Sequence, residues 1–193
     1  MKIKLLLLSI LLISCTYKKI NVNLNEYQPL PPLNYEAIMP GQPFDDWTLF
    51  FSDLSFDSII YSSGHFKKDH FKDIQFPKRG FNFDCLPICF FEFIVTSKSG
   101  ETNIWDTQDS LKLFLGSIDN ISEAQLLASG LRYYSKKESF YKSTENGFRV
   151  TMFKLVRTGM PIQVDKFLLD ISKNGKIKII AREVFSKKEN AMI

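Results

Sequence analysis

The sequence predicts an α+β fold, with a mainly antiparallel sheet and two short helices packed on one face of it. Three observations predict this class. A strand–turn–strand pattern surrounds residues 97–100, the apolar positions between 106 and 134 follow a helical period, and the last third of the chain returns to strand-like runs. Since the helical stretch lies in one block between strands, we expect an antiparallel sheet covered by helices.

Aromatic and β-branched runs predict the first strands, at 47–51 and 59–61. The stretch 64–80 is polar and basic, and it reads as a long surface loop. A firmer pattern follows. Residues 90–96 form a strand, Ser97-Lys-Ser-Gly100 a turn, and 102–105 the returning strand of a hairpin.

After Trp105 the period of the apolar residues changes to that of a helix. Asp106 or Thr107 is placed to cap a first helix, whose apolar face contains Leu111, Phe114 and Leu115 and which Gly116 ends. Ser122 and Gln125 have the spacing of a capping box and predict the start of a second helix. That helix ends at Gly130 or continues to Tyr134.

Three strands close the chain, at 148–156, 162–171 and 176–185. Asn174-Gly175 joins the last two, and this dipeptide is typical of a type I′ hairpin turn. Eight apolar residues of these strands are expected in the core: Met152, Leu155, Phe167, Leu169, Ile171, Ile177, Ile179 and Val184.

The first residues have the pattern of a secretory signal. Lys2 and Lys4 precede an apolar run from Leu5 to Ile13, which is shorter than the roughly 20 residues of a membrane-spanning helix. The stretch Leu12-Ile13-Ser14-Cys15 resembles the lipobox of bacterial lipoprotein precursors. The resemblance implies a diacylglyceryl group on the Cys15 thiol and cleavage between Ser14 and Cys15. An ordinary cleaved signal with an incidental cysteine is the alternative.

The lipobox resemblance also implies a location and a domain plan. Thr16 stands where an aspartate retains some lipoproteins in the inner membrane, so we expect the bacterial outer membrane. Residues 1–14 are then the signal peptide. Residues 15–43 contain most of the prolines and predict a lipidated, extended tether. Residues 44–193 form a single domain. Lys18 and Lys19 could contact anionic lipid head groups, although solvation is the simpler interpretation.

Cys85 and Cys89 form an even pair if lipid occupies Cys15. Bonded cysteines need Cα atoms about 4.4–6.8 Å apart, whereas a straight strand would place them at roughly 13 Å. The pair closes only if the chain turns at Pro87. A local disulfide is expected; two separate thiols and a redox or metal role remain as alternatives. The stretch Cys85-Leu-Pro-Ile-Cys89, with the hairpin after it, resembles small envelope lipoproteins without assigned activity.

The remaining polar residues do not form a recognisable catalytic or metal-binding pattern. His65 and His70 are five apart, so they leave one helix face, and solvated loop residues are the simpler interpretation. Neither a nucleophile elbow nor a glycine-rich phosphate loop occurs. Tyr133 and Tyr134, interleaved with lysines, are consistent with a glycan or peptide groove and also with packing on the sheet. We therefore expect no catalytic residues, no metal and no cofactor.

The sequence thus predicts a membrane-anchored envelope lipoprotein whose domain is a non-enzymatic binding or assembly module. The partner is a protein or an envelope polymer such as a glycan; neutralisation of a toxin is one subtype. Without residues 1–14 the formal net charge falls from +4 to +2, which is near neutral and gives no case for nucleic acid. The alternatives are a hydrolase of envelope polymers with an unrecognised site, and a purely structural envelope component.

Overall fold

The structure is a computed structural model that describes residues 20, 23, 25–53, 56–64, 75–85, 88–159 and 161–188. In these residues ten strands form two antiparallel sheets, and two α-helices accompany them. The α+β class and the mainly antiparallel pairing are confirmed, although the strands divide between two sheets. Within the described residues, no helix is long and apolar enough to cross a membrane.

The first sheet has the strand order β1-β7-β8-β9-β10. Its strands are β1 (Gln28–Pro29), β7 (Phe140–Thr144), β8 (Gly147–Arg157), β9 (Ile162–Ser172) and β10 (Ile177–Lys188). The second sheet has the order β3-β2-β5-β4, and β6 also pairs with β5. Its strands are β2 (Asp46–Ser52), β3 (Asp57–Ser62), β4 (Phe81–Cys85), β5 (Cys89–Lys98) and β6 (Glu101–Trp105). Sequence patterns predicted neither β1, β4 nor β7.

Two helices connect the sheets: α1 (Gln108–Leu115) and α2 (Ile121–Ser129). The predicted cap Thr107 and terminator Gly116 of α1 are confirmed. The capping box of α2 lies two residues earlier than predicted. The Asn120 side chain accepts from the Glu123 amide at 3.0 Å, and the Glu123 carboxylate accepts from the Asn120 amide at 3.2 Å.

One hydrophobic core joins both sheets and both helices. Its buried residues include Trp47, Leu49 and Ile94 of the second sheet, Leu111, Phe114, Leu126 and Leu127 of the helices, and Val150, Met152, Leu169 and Ile171 of the first sheet. A smaller apolar cluster of Phe50, Phe91, Phe93 and Val95 lies on the opposite face of the second sheet. The shared core explains why the sheets belong to one domain.

The predicted core residues of the last strand are wrong at two positions. Ile179 and Val184 are exposed, because β10 is an edge strand with register shifts after each of them. The other candidates are buried or partly buried: Met152, Leu155, Phe167, Leu169, Ile171 and Ile177.

The segment predicted to be an extended tether packs on the domain over residues 25–43. Gln28–Pro29 pairs with β7, Ile38 is buried in the core, and residues 35–37 form a 3₁₀ turn. The Pro31 carbonyl accepts from the Gln125 side chain at 2.9 Å, and the Ala37 carbonyl accepts from Asn120 at 2.8 Å. The prolines do favour extended backbone, but the apolar residues between them, such as Ile38, are buried against the rest of the domain.

Candidate functional site

The sequence-predicted site residues divide into two groups. The lipidation and cleavage residues Cys15 and Ser14, and the histidines His65 and His70, lie outside the described residues. Cys85 and Cys89 lie within them, at the ends of β4 and β5. The candidate site therefore lies around this hairpin.

The hairpin of β4 and β5 places Cys85 directly opposite Cys89. Their sulfurs are 2.07 Å apart and their Cα atoms 3.8 Å apart, so the chain does turn between them. The neighbouring pair in the same register is Asp84 and Phe90. A disulfide here would hold those two side chains in fixed positions at the end of the hairpin. Its formation in the protein stays a prediction.

A cleft of about 440 Å³ opens beside this hairpin, between the two sheets. We call it the inter-sheet cleft. It is lined by Asn82, Asp84 and Phe90 of the hairpin, Gln125 and Ser129 of α2, Arg132 to Ser135 of the following loop, Met152 and Leu155 of β8, and Leu33. This volume and this mixture of aromatic and polar groups are common in sites that bind small ligands or short chain segments.

An ion pair between Arg132 and Asp84 spans the cleft from the helix-end loop to the hairpin. The other carboxylate oxygen of Asp84 accepts from the Cys85 amide at 2.8 Å. Arg132 adopts a left-handed backbone conformation with φ of 68°, and its amide donates to the Ser129 carbonyl at 2.7 Å. This sharp turn after α2 directs the guanidinium to the hairpin.

Two tyrosines form the aromatic part of the cleft, and they differ in exposure. Tyr133 is buried and packs edge-on against Phe167 at 5.2 Å between ring centroids, with the Lys154 ammonium 4.8 Å from its ring. Tyr134 pairs through its backbone with Phe153, and its side chain is 38% exposed. Burial raises the pKa of both phenols. Thus Tyr133 serves mainly packing, whereas Tyr134 is accessible to a ligand.

Glu92 lies on β5, two positions beyond Phe90. The Asn82 side-chain amide donates to its carboxylate at 2.9 Å. Burial raises the pKa of Glu92, and the Asn82 hydrogen bond partly opposes that effect. Glu92 is absent from the lining of the inter-sheet cleft.

A second buried carboxylate, Asp165, belongs to the first sheet. It is fully buried, and it accepts from Arg182 at 2.5 Å and from Gln163 at 2.7 Å. Both of its oxygens are thus occupied by protein donors, which indicates a structural ion pair. Among the described residues, no group of three or more His, Cys, Asp or Glu is arranged to hold a metal ion.

No family model matches the chain, no curated protein matches it, and no solved structure matches it. The functional interpretation therefore depends on the chain's own residues. Sequence reasoning missed Arg132 and Asn82, which have no motif of their own. The local signals that pointed to this part of the molecule were the cysteine pair Cys85 and Cys89 and the tyrosines Tyr133 and Tyr134.

Proposed function

We propose that this protein is a lipoprotein of the bacterial envelope, anchored in the outer membrane through lipid on Cys15 after cleavage behind Ser14. Its domain acts as a non-enzymatic binding or assembly module. The inter-sheet cleft takes a segment of a protein or an envelope polymer such as a glycan. One observation carries the proposed binding function. Asp84 and Phe90 of the hairpin line the same cleft as Arg132 and Tyr134 of the loop after α2.

The chemistry of the cleft suits recognition of an extended segment. Phe90 and Tyr134 offer aromatic faces that pack on sugar rings or apolar side chains, while Arg132 and Asp84 offer donors and acceptors. Helix α2 contributes Gln125 and Ser129 to the lining of the cleft. In this proposal both helices pack on one face of the second sheet. The contact of Phe114 of α1 with Trp47 of β2, at 5.3 Å between ring centroids, supports that arrangement.

Exposed apolar side chains at the hairpin end of the second sheet favour a protein partner. Phe83 and Ile88 of the hairpin are exposed, and so is Phe56 in the turn between β2 and β3. Because Ser52 pairs with Phe91 and Cys85 with Cys89, this turn lies at the same end of the sheet as the hairpin tip. Neighbouring exposed apolar groups of this kind commonly mark interaction surfaces.

The alternative function is hydrolysis of an envelope polymer. A carboxyl group whose pKa is raised by burial, as in Glu92, is what a general acid requires. Hydrolysis would also need a second carboxylate free to act, but Asp84 is paired with Arg132 and Glu92 lies outside the cleft lining. Turnover of envelope glycans or peptides that Glu92→Gln abolishes would favour the hydrolase instead.

Site-specific photo-crosslinking tests the binding function. A photoreactive phenylalanine analogue replaces Tyr134 in the full-length protein, in cells. The matched control replaces Ile60 of β3, which is similarly exposed at 36% but lies outside the cleft lining. We expect one stoichiometric adduct at position 134, little at position 60, and loss of the adduct in Arg132→Ala and Cys15→Ser backgrounds.

Two outcomes would count against this proposal. Equal adducts at positions 134 and 60 would indicate non-specific proximity and no binding at the cleft. An unchanged membrane fraction for Cys15→Ser would contradict lipid anchoring.

A further inference from the structure

Strand β10 presents an unusual combination of apolar and basic side chains at the edge of the first sheet. Ile179, Ile180, Val184 and Phe185 are exposed large apolar residues. Lys178, Lys187 and Lys188 are exposed on the same strand. The one acid of β10 is Glu183, and its carboxylate is engaged with the Ile20 amide at 2.9 Å and with Lys166 at 3.8 Å. Because neighbouring strand residues point to opposite faces, these seven exposed residues flank the outer edge of β10 on both sides, and we call them the β10 edge surface.

The first described residue of the chain, Ile20, lies against this strand. Ile20 is 7% exposed, and its amide donates to Glu183 in the middle of β10. Further along, the Glu26 carboxylate accepts from Lys142 at 2.7 Å, and the Tyr27 ring lies 5.0 Å from the same ammonium. Gln28–Pro29 then pairs with β7. The described residues of this segment therefore contact the first sheet at two places, at the edge strand β10 and at β7 near the other edge.

Five peptide units separate Cys15 from Ile20. A fully extended chain of that length spans at most about 18 Å. A folded domain of this size has a radius of gyration of about 15 Å by the usual scaling. A lipid on Cys15 would therefore be held within about 18 Å of β10.

We propose that the β10 edge surface rests on an anionic lipid surface and orients the anchored domain. This inference rests on the proposed lipid anchor. The apolar side chains would enter the head-group region, and the three lysines would be attracted by anionic lipids. Contact occurs at head-group depth, because the outer edge of β10 has no partner strand among the described residues and its backbone groups need water.

A second copy of the chain fits this edge less well than a lipid surface does. If two β10 strands paired antiparallel about their centres, Lys176 and Lys178 of one would approach Lys187 and Lys188 of the other. Like charges directly opposite each other destabilise such pairs. Anionic lipid neutralises all of these lysines at once, which is why the charge pattern favours the membrane as the occupant.

Tryptophan quenching in lipid vesicles tests this orientation. The full-length lipidated protein is placed in vesicles that contain phosphatidylglycerol and a phosphatidylcholine brominated near the head group. Ile179→Trp places the probe on β10, and Ile59→Trp is the matched control on the edge strand β3. The two isoleucines are similarly exposed, at 52% and 45%. The native tryptophans are present in both variants and provide a common background.

We expect brominated lipid to quench most of the emission added by Ile179→Trp and little of that added by Ile59→Trp. Replacement of Lys178, Lys187 and Lys188 by glutamate in the Ile179→Trp protein should reduce the quenching. Equal quenching at both positions, quenching at neither, or a crosslinked dimer through β10 without quenching would overturn the proposal.

The experiment separates this inference from the binding function. Flotation of wild type and Cys15→Ser on vesicles of phosphatidylcholine alone, which lack the anionic lipid that the β10 edge surface would bind, reports whether the anchor exists. Equal flotation of the two proteins would remove the basis of the lipid anchor and of this orientation. Loss of the cleft adduct with normal quenching would leave the membrane orientation in place. Normal cleft binding without quenching would contradict the orientation alone.

Discussion

Two carboxylates of one hairpin acquire different properties from their surroundings. Asp84 is paired with the Arg132 guanidinium at the cleft, so its charge has a partner. At Glu92 the neutral Asn82 amide donates to the carboxylate. Burial is the larger effect at Glu92 and raises its pKa. The two carboxylates differ because the partner of Asp84 is a cation, whereas the described hydrogen-bond partner of Glu92 is neutral.

Glu92→Gln should change the pH dependence of stability. Because the native pKa is raised above 4.5, the native state retains a proton that the unfolded chain has already lost. The contribution of Glu92 to the free energy of unfolding is therefore most favourable at low pH, and it falls as pH rises from 4.5 through the native pKa. The glutamine variant should gain stability relative to wild type over that range. Urea unfolding at several pH values measures the difference.

The exposed residue Glu145 provides the control for this pH experiment. It lies in the turn between β7 and β8, so Glu145→Gln should leave the slope with pH close to that of wild type. If the curves for Glu92→Gln and wild type run parallel between acid and neutral pH, the raised pKa is contradicted.

Glu123 is nearly fully buried, and its carboxylate accepts three backbone hydrogen bonds. The donors are the amides of Met39 at 3.1 Å, Asp119 at 2.7 Å and Asn120 at 3.2 Å. Glu123→Ala would leave these donors without their acceptor. We expect a loss of roughly 2–4 kcal/mol in the free energy of unfolding. Thermal or urea denaturation checks this value, and a loss no larger than that of Glu145→Ala would argue against it.

The hairpin of β4 and β5 is the element that connects the predicted cysteine pair to the cleft. A ring closed by Cys85 and Cys89 is short, and the chain-entropy relation assigns it a stabilisation of about 2 kcal/mol. Its larger effect would be to fix the positions of Asp84 and Phe90, because these two residues form the next pair in the register of the hairpin.

Replacing both cysteines by serine should therefore reduce stability modestly and reduce the photo-crosslinked adduct at position 134 more strongly. Mass spectrometry of the unreduced protein after alkylation is the direct measurement. We expect no alkylation at Cys85 or Cys89 before reduction and two modified thiols after it. Two alkylated thiols in the unreduced protein would rule out the disulfide.

Turn residues illustrate the limit of local prediction at the scale of elements. The dipeptide Asn174-Gly175 predicted a type I′ turn, but only Gly175 has positive φ, and Ser172 pairs with Lys176 around a three-residue loop. Ser99 and Gly100 both have positive φ and form the two-residue turn between β5 and β6. Strand register selects the loop length, so one dipeptide alone does not decide the turn.

The N-terminal segment shows how the whole molecule differs from its predicted domain plan. Residues 25–43 contribute a strand, a 3₁₀ turn and the buried Ile38, and they provide partners for Asn120, Glu123 and Gln125 of α2. The folded unit therefore extends well before residue 44. An anchor attached to such a segment transmits orientation to the domain, which a free tether would not do.

Truncation tests this extension of the folded unit. A chain that begins at Phe44 should be less stable than one that begins at Asn25 by at least about 3 kcal/mol, because apolar burial and several hydrogen bonds of α2 are lost. Urea denaturation of the two chains measures the difference. Equal stabilities would show that residues 25–43 contribute nothing to the fold, as the tether prediction requires.

The sequence by itself determined the features that depend on residues a few positions apart. Thr107 and Gly116 delimit α1, and the strand runs at 148–156 and 162–171 match β8 and β9, because capping and apolar periodicity act over one or two turns of chain. The tertiary structure decided what long-range pairing controls. It brings Arg132 to Asp84 across 48 positions, places β10 at a sheet edge, and docks Ile20 on Glu183. No local sequence pattern predicts these contacts, because each joins residues that are far apart in the chain and that only the folded arrangement of the sheets brings together.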